Sequence, residues 1–304
     1  MRFWIEEQDH GRAVRDFLRS RGVSAALAAK LKRDERGILL NGERVTVRAV
    51  LAAGDRLDLA IEEKDSPLHV LPCDLPLSVL LETEDLLVVN KAAHMPTHPS
   101  HGHFQDTLAN GLAYRYTANG IAFRPRFINR LDRNTTGCVL VARHALAASA
   151  LSASMARGEI KKTYLALVSG RIDSPRQIET GIRRKGESII LREVCPIPEG
   201  QLARTLVEPL WSTEALTLVR LTPYTGRTHQ LRVHMAFLGH PLLGDELYGG
   251  DLSCLSRHAL HAAELTFPVP RGGERVTVTA PLPDDMARII ENMGEGVLSC
   301  LLKS

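Results

Sequence analysis

Residues 127–143 read Phe-Ile-Asn-Arg-Leu-Asp-Arg-Asn-Thr-Thr-Gly-Cys-Val-Leu-Val-Ala-Arg, and this stretch limits the possible folds more than any other in the chain. Its second half, Cys138 to Ala142, is uniformly apolar and short, so it reads as a strand buried in a sheet. Its first half is a polar loop ending in Gly137. A loop of that kind, feeding a buried strand, holds one side chain rigidly at the rim of the sheet. The one carboxylate there, Asp132, lies between Arg130 and Arg133 and ahead of Asn134, Thr135, Thr136 and Gly137. Residue types alone favour a structural ion pair with ordinary turn chemistry, because such pairs are not confined to functional sites.

Residues 1–63 form a compact unit by pattern. Val14, Phe17 and Leu18 recur at helical spacing up to Gly22, and Ser24 can cap a second helix that carries Leu27 and Leu31. Ile38 to Val45 reads as a strand, an Asn41-Gly42 turn and a return strand, and Leu57 to Ile61 adds another. Two basic helices against a small sheet resemble the S-four-like RNA-binding module, with Arg12, Arg15, Lys30, Lys32 and Arg33 as the residues that would grip RNA backbone. The charged stretch 62–67 is the expected linker, leading into a first strand over 68–75 and a second domain over 64–304.

Within that second domain, strands are expected over 80–84, 85–91, 160–170, 203–210, 217–222 and 276–280, with a basic hairpin over 181–200. Helices are expected over 106–115, 144–157 and 283–293, and one capped by Thr228 with Gln230, His234 and Phe237 near one side. The fold class is therefore α+β: a small N-terminal α/β module, then a mixed domain on largely antiparallel sheet.

Four motifs then change the reading of Asp132. Asn129-Arg-Leu-Asp-Arg-Asn-Thr-Thr-Gly137 resembles the active-site signature of the RluA-type pseudouridine synthases, with Asn129 where His is usual and Thr136 where Ser is usual. Lys162-Thr-Tyr164 resembles the family's Lys-x-Tyr motif. Gly226-Arg-Thr-His-Gln-Leu-Arg-Val-His234 resembles its third motif. The stretch ending at Lys91-Ala92 resembles its first, which usually has Lys-Pro.

The resemblance implies isomerisation of a uridine in ribosomal or transfer RNA to pseudouridine, without a cofactor or metal. The N-glycosidic bond breaks, the uracil turns and carbon 5 reattaches to the ribose. It further implies Asp132 as the catalytic carboxylate, Tyr164 stacked on the flipped base and Arg232 paired with Asp132. Arg130, Arg133, Thr135, Lys162, Arg227 and His229 are the implied RNA contacts in this domain. A catalytically silent RNA-binding or ribosome-assembly protein on the same scaffold is the alternative.

Charge supports a polyanionic partner through its distribution rather than its sum, which is only +3. Between His10 and Arg48 ten Lys and Arg residues stand against four Asp and Glu. Arg124, Arg126, Arg130, Arg133 and Arg143 form a second group around Asp132, and Arg171, Arg176, Arg183, Arg184, Lys185 and Arg192 a third.

The 5 cysteines are odd in number and widely spaced, which fits neither a disulfide framework nor a zinc site. His98, His101 and His103 lack a Cys or carboxylate partner at familiar ligand spacing, so no metal is expected. No apolar run reaches membrane-spanning length and acids follow the first residues closely. A cytoplasmic monomer is expected.

Overall fold

The computed structural model describes residues 1–61, 70–121, 123–270 and 273–293. The expected linker at 62–67 and the tail at 294–304 lie outside the described residues.

The N-terminal module comprises β1 (Arg2–Trp4), α1 (Val14–Ser20), α2 (Ala25–Arg33), β2 (Ile38–Leu40), β3 (Glu43–Arg44) and β4 (Arg56–Leu59), the four strands in the order β1-β4-β2-β3. The cap is as the sequence implies: the Ser24 hydroxyl accepts the Leu27 N–H at 3.2 Å. Asn41 and Gly42 both take positive φ, the backbone a two-residue hairpin turn demands. Phe17, Leu18, Leu31, Leu51 and Leu57 form the module's own core. The strand β1 escapes the sequence pattern because two of its three residues are exposed.

The larger unit comprises β5 (Ser78–Glu82), β6 (Leu86–Lys91), α3 (Leu108–Thr117), β7 (Arg126–Phe127), β8 (Thr136–Ala142), α4 (Ala145–Ala156), β9 (Lys161–Ser169), β10 (Arg176–Arg184), β11 (Arg192–Cys195), β12 (Gln201–Ser212), β13 (Leu216–Pro223), α5 (Gln230–Phe237), β14 (Leu260–Pro268), β15 (Arg275–Thr279) and α6 (Asp284–Asn292). One 11-stranded sheet runs β11-β10-β12-β13-β9-β14-β8-β6-β5, with β15 beside β14 and β7 beside β8. Its pairs are antiparallel except β8 with β14, which run parallel.

Each residue of β8 is buried, as its composition implies, and its side chains alternate between two cores. Val139 and Val141 join the core that holds Tyr164 and Leu131, whereas Cys138, Leu140 and Ala142 join the one under α4. Gly137 has φ +107°, and a Cβ there would lie 2.2 Å from the carbonyl oxygen of Ala262 on β14. Only glycine permits β8 to approach β14 so closely at that point.

The module docks on α4. The Ser149 hydroxyl accepts the Ser24 N–H at 2.9 Å and donates to the Gly22 carbonyl at 2.7 Å, while Leu146 enters the module's core.

Three expectations need correction. Residues 70–75 form no strand; they lie along α3, where Asn110 donates to the Leu71 carbonyl at 2.7 Å. Thr228 does not cap α5. His229 occupies that position with a left-handed backbone, φ 57°, and Gln230 instead accepts the Arg227 N–H at 3.0 Å. Of the three residues expected near one side of α5, Gln230 and His234 are buried, but Phe237, the last residue of the helix, is 58% exposed.

Candidate active site

Asp132 opens a turn between β7 and β8, its carbonyl accepting the Thr135 N–H at 3.1 Å. Nearly every neighbour in that turn is pinned from outside it. Thr97 donates to the Leu131 carbonyl at 3.0 Å, and buried Lys91 donates to the carbonyls of Arg133, Ala92 and Met95 at 3.0, 2.7 and 2.7 Å. Arg257 donates to the Asn134 carbonyl at 3.1 Å and is itself held by both oxygens of Asp285 at 2.7 Å. Thr135 meets His258 and Thr136 meets His261, each at 2.8 Å. A side chain on so constrained a backbone has its direction fixed before any ligand arrives.

Asn129 belongs to the same framework. Its amide donates to the Cys138 carbonyl at 3.1 Å and accepts the Leu140 N–H at 2.7 Å. It thus ties the loop's entrance to β8 with one donor and one acceptor, a pairing that an amide side chain can supply.

The carboxylate of Asp132 is 30% exposed and one of its oxygens faces two cationic or polar groups. Arg232, on the first turn of α5, places Nη1 3.3 Å from Oδ2, and His229 places Nε2 3.8 Å from the same atom. The other oxygen is not held by either. Arg232 is anchored more tightly to a second carboxylate, buried Asp245, through Nε and Nη2 at 2.7 Å each. That bidentate pairing fixes the guanidinium plane and leaves one nitrogen for Asp132.

Tyr248 completes the cluster. Its ring lies under the Arg232 guanidinium at 5.0 Å, and its hydroxyl is 2.8 Å from His229 Nδ1 while accepting the Arg192 N–H at 3.0 Å. At 3.8 Å His229 Nε2 lies beyond hydrogen-bond distance of Asp132, whereas its Nδ1 is hydrogen-bonded to Tyr248. Burial holds His229 below the usual imidazole range against the pull of Asp132.

Tyr164 lies in β9 opposite Leu221, buried in the same core as Leu131. Burial pushes its phenol well above the usual range, and the negative charge of Asp132 adds to the effect. The group is therefore a neutral aromatic near pH 7. Burial likewise lowers Lys91 to about 7, with Asp132 opposing, and pushes His258 down to about 2, with Arg232 and Arg257 adding to the effect.

The structure thus brings Asp132, Tyr164, Arg232 and His229 together. Lys162 is two residues before Tyr164 on β9, its ammonium pushed below its usual range by burial, near Gly226. Arg227 donates through Nε to the Leu202 carbonyl at 2.9 Å. Arg130 and Arg133 are exposed beside the carboxylate, Arg133 reaching the His94 carbonyl at 3.4 Å. Thr135 is 2% exposed and spent on His258, which withdraws it from the surface where an RNA contact would form.

In the module, Lys30, Lys32 and Arg33 are exposed on α2, Arg15 pairs with Asp16 at 3.4 Å, and Arg12 is bound by buried Asp9. His98 packs edge-on against Phe127 and His103 pairs with Asp106 at 2.5 Å. Asp245, Tyr248 and His258 were missed as site residues. They lie more than a hundred positions from Asp132, and no local spacing links them to it.

Residues 85–237 match the protein family described as RNA pseudouridylate synthase. The chain is 38% identical over 279 residues to the uncharacterized RNA pseudouridine synthase YjbO of Bacillus subtilis, covering 91% of this chain and 98% of that one. It is 33% identical over 291 residues to the ribosomal large subunit pseudouridine synthase D of Vibrio parahaemolyticus, covering 91% and 86%. Among solved structures, human RNA pseudouridylate synthase domain containing 1 aligns with a TM-score of 0.56 at 27% identity, over 76% of this chain and 97% of that chain.

Proposed function

The chain belongs to the RNA pseudouridylate synthase family, isomerases that act on uridine in RNA, and we propose that Asp132 is its catalytic carboxylate and large-subunit ribosomal RNA its substrate. The observation that carries the reading is the carboxylate itself: one oxygen is held by Arg232 at 3.3 Å, and the side chain is still 30% exposed. A guanidinium at that distance fixes the orientation of the carboxylate, which is what attack or proton removal at a ribose requires. Tyr164, neutral and aromatic, is the surface on which an extruded uracil stacks. The bond from N1 to the ribose carbon breaks, the uracil turns within the cleft, carbon 5 forms the new bond and loses its proton, and N1 gains one. Arg130, exposed at the rim beside Asp132, takes the space the nucleotide leaves.

The Vibrio relative's name supports ribosomal RNA over transfer RNA. In this reading residues 1–63 are the RNA-gripping module, supported by the exposed cations of α2 and by a core built mostly from the module's own residues, joined by Leu146 of α4. The same reading expects a monomer in the cytoplasm, for which sedimentation and cell fractionation are the tests.

Pseudouridine mapping by carbodiimide-dependent reverse-transcription stops tests the assignment in cells carrying the wild-type gene, a deletion or Asp132→Ala. Loss of the same stop in large-subunit RNA in both altered strains is expected. An Asp132→Ala strain that keeps every stop lost in the deletion sinks the catalytic assignment, and a deletion that loses none points to a silent RNA-binding scaffold.

A further inference from the structure

The N-terminal module meets the larger unit on one face of α4, where Leu146, Ser149 and Ala150 stand at positions i, i+3 and i+4. The Ser149 hydroxyl serves two backbone groups of the module at once, the Ser24 N–H and the Gly22 carbonyl. Ser24 also caps α2, so the start of that helix is completed by a side chain of the larger unit. Beside it Gly22, with φ +81°, lies so close to Ala150 that a Cβ on the glycine would stand 2.8 Å from that of the alanine. Leu146, one turn back along α4, is 3% exposed within the module's core.

This contact extends the rigid frame of the Asp132 site. From Asp132 the chain passes through its turn into β8, and only Arg143 and His144 separate β8 from α4. His144 fixes that junction: one ring nitrogen accepts the Ala147 N–H at 3.2 Å and the other meets buried Asp85 at 2.8 Å, while the Arg143 N–H donates to the Asp85 carbonyl at 2.8 Å. Beyond the contact, α2 runs 9 residues from its cap to a last turn that exposes Lys30, Lys32 and Arg33. At 1.5 Å per residue that is about 13 Å. Turn, strand, helix, contact and helix follow one another in structure held by these bonds, so the cations of α2 stand at a set distance from the carboxylate. A module swinging on a free linker would instead sample a volume and grip RNA at any spacing within its reach.

We propose that Leu146, Ser149 and Ala150 are specificity-determining residues: by docking the module on α4 they fix the spacing between the RNA segment it grips and the uridine that reaches Asp132. The proposal rests on reading Asp132 as the catalytic carboxylate and residues 1–63 as the RNA-gripping module.

The experiment uses the full-length protein and two RNAs. One is unmodified large-subunit ribosomal RNA transcribed in vitro, in which the modified uridine is first mapped by carbodiimide-dependent stops. The other is a short stem-loop around that uridine, too short to reach α2. Ala150→Glu places a charged side chain where Gly22 leaves no room, and small-angle X-ray scattering should show a larger radius of gyration than in the wild type. Its kcat/KM on the stem-loop should stay within about twofold of wild type. The preference for the long RNA over the stem-loop should fall about tenfold, and further uridines of the long RNA should acquire stops. An undocked variant that keeps the wild-type preference overturns the proposal. So does one whose preference falls while no further uridine is modified, because docking then adds affinity without selecting a site. Equal radii in variant and wild type also overturn it, since the module is then not held by this contact in solution. Should Ala150→Glu lose turnover on the stem-loop as well, Ser149→Ala decides: further stops with a reduced preference uphold the proposal, and an unchanged pattern overturns it. A wild type that modifies neither RNA sinks the catalytic reading instead, and a spacing measured to Asp132 falls with it.

Discussion

Asp245 is the residue on which the position of Arg232 depends, and changing it to asparagine separates that role from simple packing. The side chain is 1% exposed and both oxygens accept from Arg232 at 2.7 Å. Asp245→Asn keeps the size, removes the charge and turns one acceptor into a donor facing a donor. Breaking a buried pair from one side costs about 3–5 kcal/mol, because the remaining charge is left unpaired. Stability should fall by about that much in urea unfolding. At a temperature well below the unfolding midpoint, kcat should also fall about 100-fold, since small displacements of a catalytic group have effects of that order. An Asp245→Asn protein with wild-type kcat would show that Arg232 does not need this anchor.

At the scale of elements, the site depends on where β8 crosses β14. The two strands run in parallel for only a short register, His261 beside Thr136 and Ala262 beside Gly137. The Asp132 loop enters the sheet at that point. Gly137→Ala would place a methyl 2.2 Å from the Ala262 carbonyl on a backbone with φ +107°, so the strands must part or the turn must shift. The expected result is a loss of more than about 3 kcal/mol in unfolding free energy and loss of pseudouridine formation. A Gly137→Ala protein with an unchanged melting temperature would mean that β8 has slack the geometry does not suggest. By contrast Gly226 has only the Lys162 ammonium, at 3.9 Å, near its missing Cβ, so packing does not demand glycine there.

For the whole molecule, buried histidines set the acid limit of stability. Burial pushes His234 and His261 down to about 4 and His258 to about 2, so all three are neutral in the fold. Unfolded, they titrate near 6.5. A group whose folded pKa is depressed contributes stability that is complete above its unfolded pKa and lost as pH falls towards the folded one. The urea midpoint should therefore be level above about pH 6.5 and fall steadily towards pH 4, each histidine contributing on the order of 2–3 kcal/mol. A midpoint that stays constant over that range would show that these imidazoles protonate within the native fold. Much of this architecture was open to reading beforehand. Helix spacing around Phe17 and Leu31, the Ser24 cap, the Asn41-Gly42 turn and the apolar run of β8 encode their structures through neighbouring residues, whose sterics and hydrogen bonds act locally. The motifs likewise pointed to Asp132, Tyr164 and Arg232, which the sheet brings together from three distant segments. What no local pattern could supply is the set of partners. That Asp245 rather than Asp132 holds Arg232 most tightly, that Thr135 turns inward to His258, and that Lys91 stitches the Asp132 turn all follow from strand order. A side chain's nearest charge is decided by which strands the finished sheet makes neighbours, and the parallel contact of β8 with β14 joins residues more than a hundred positions apart.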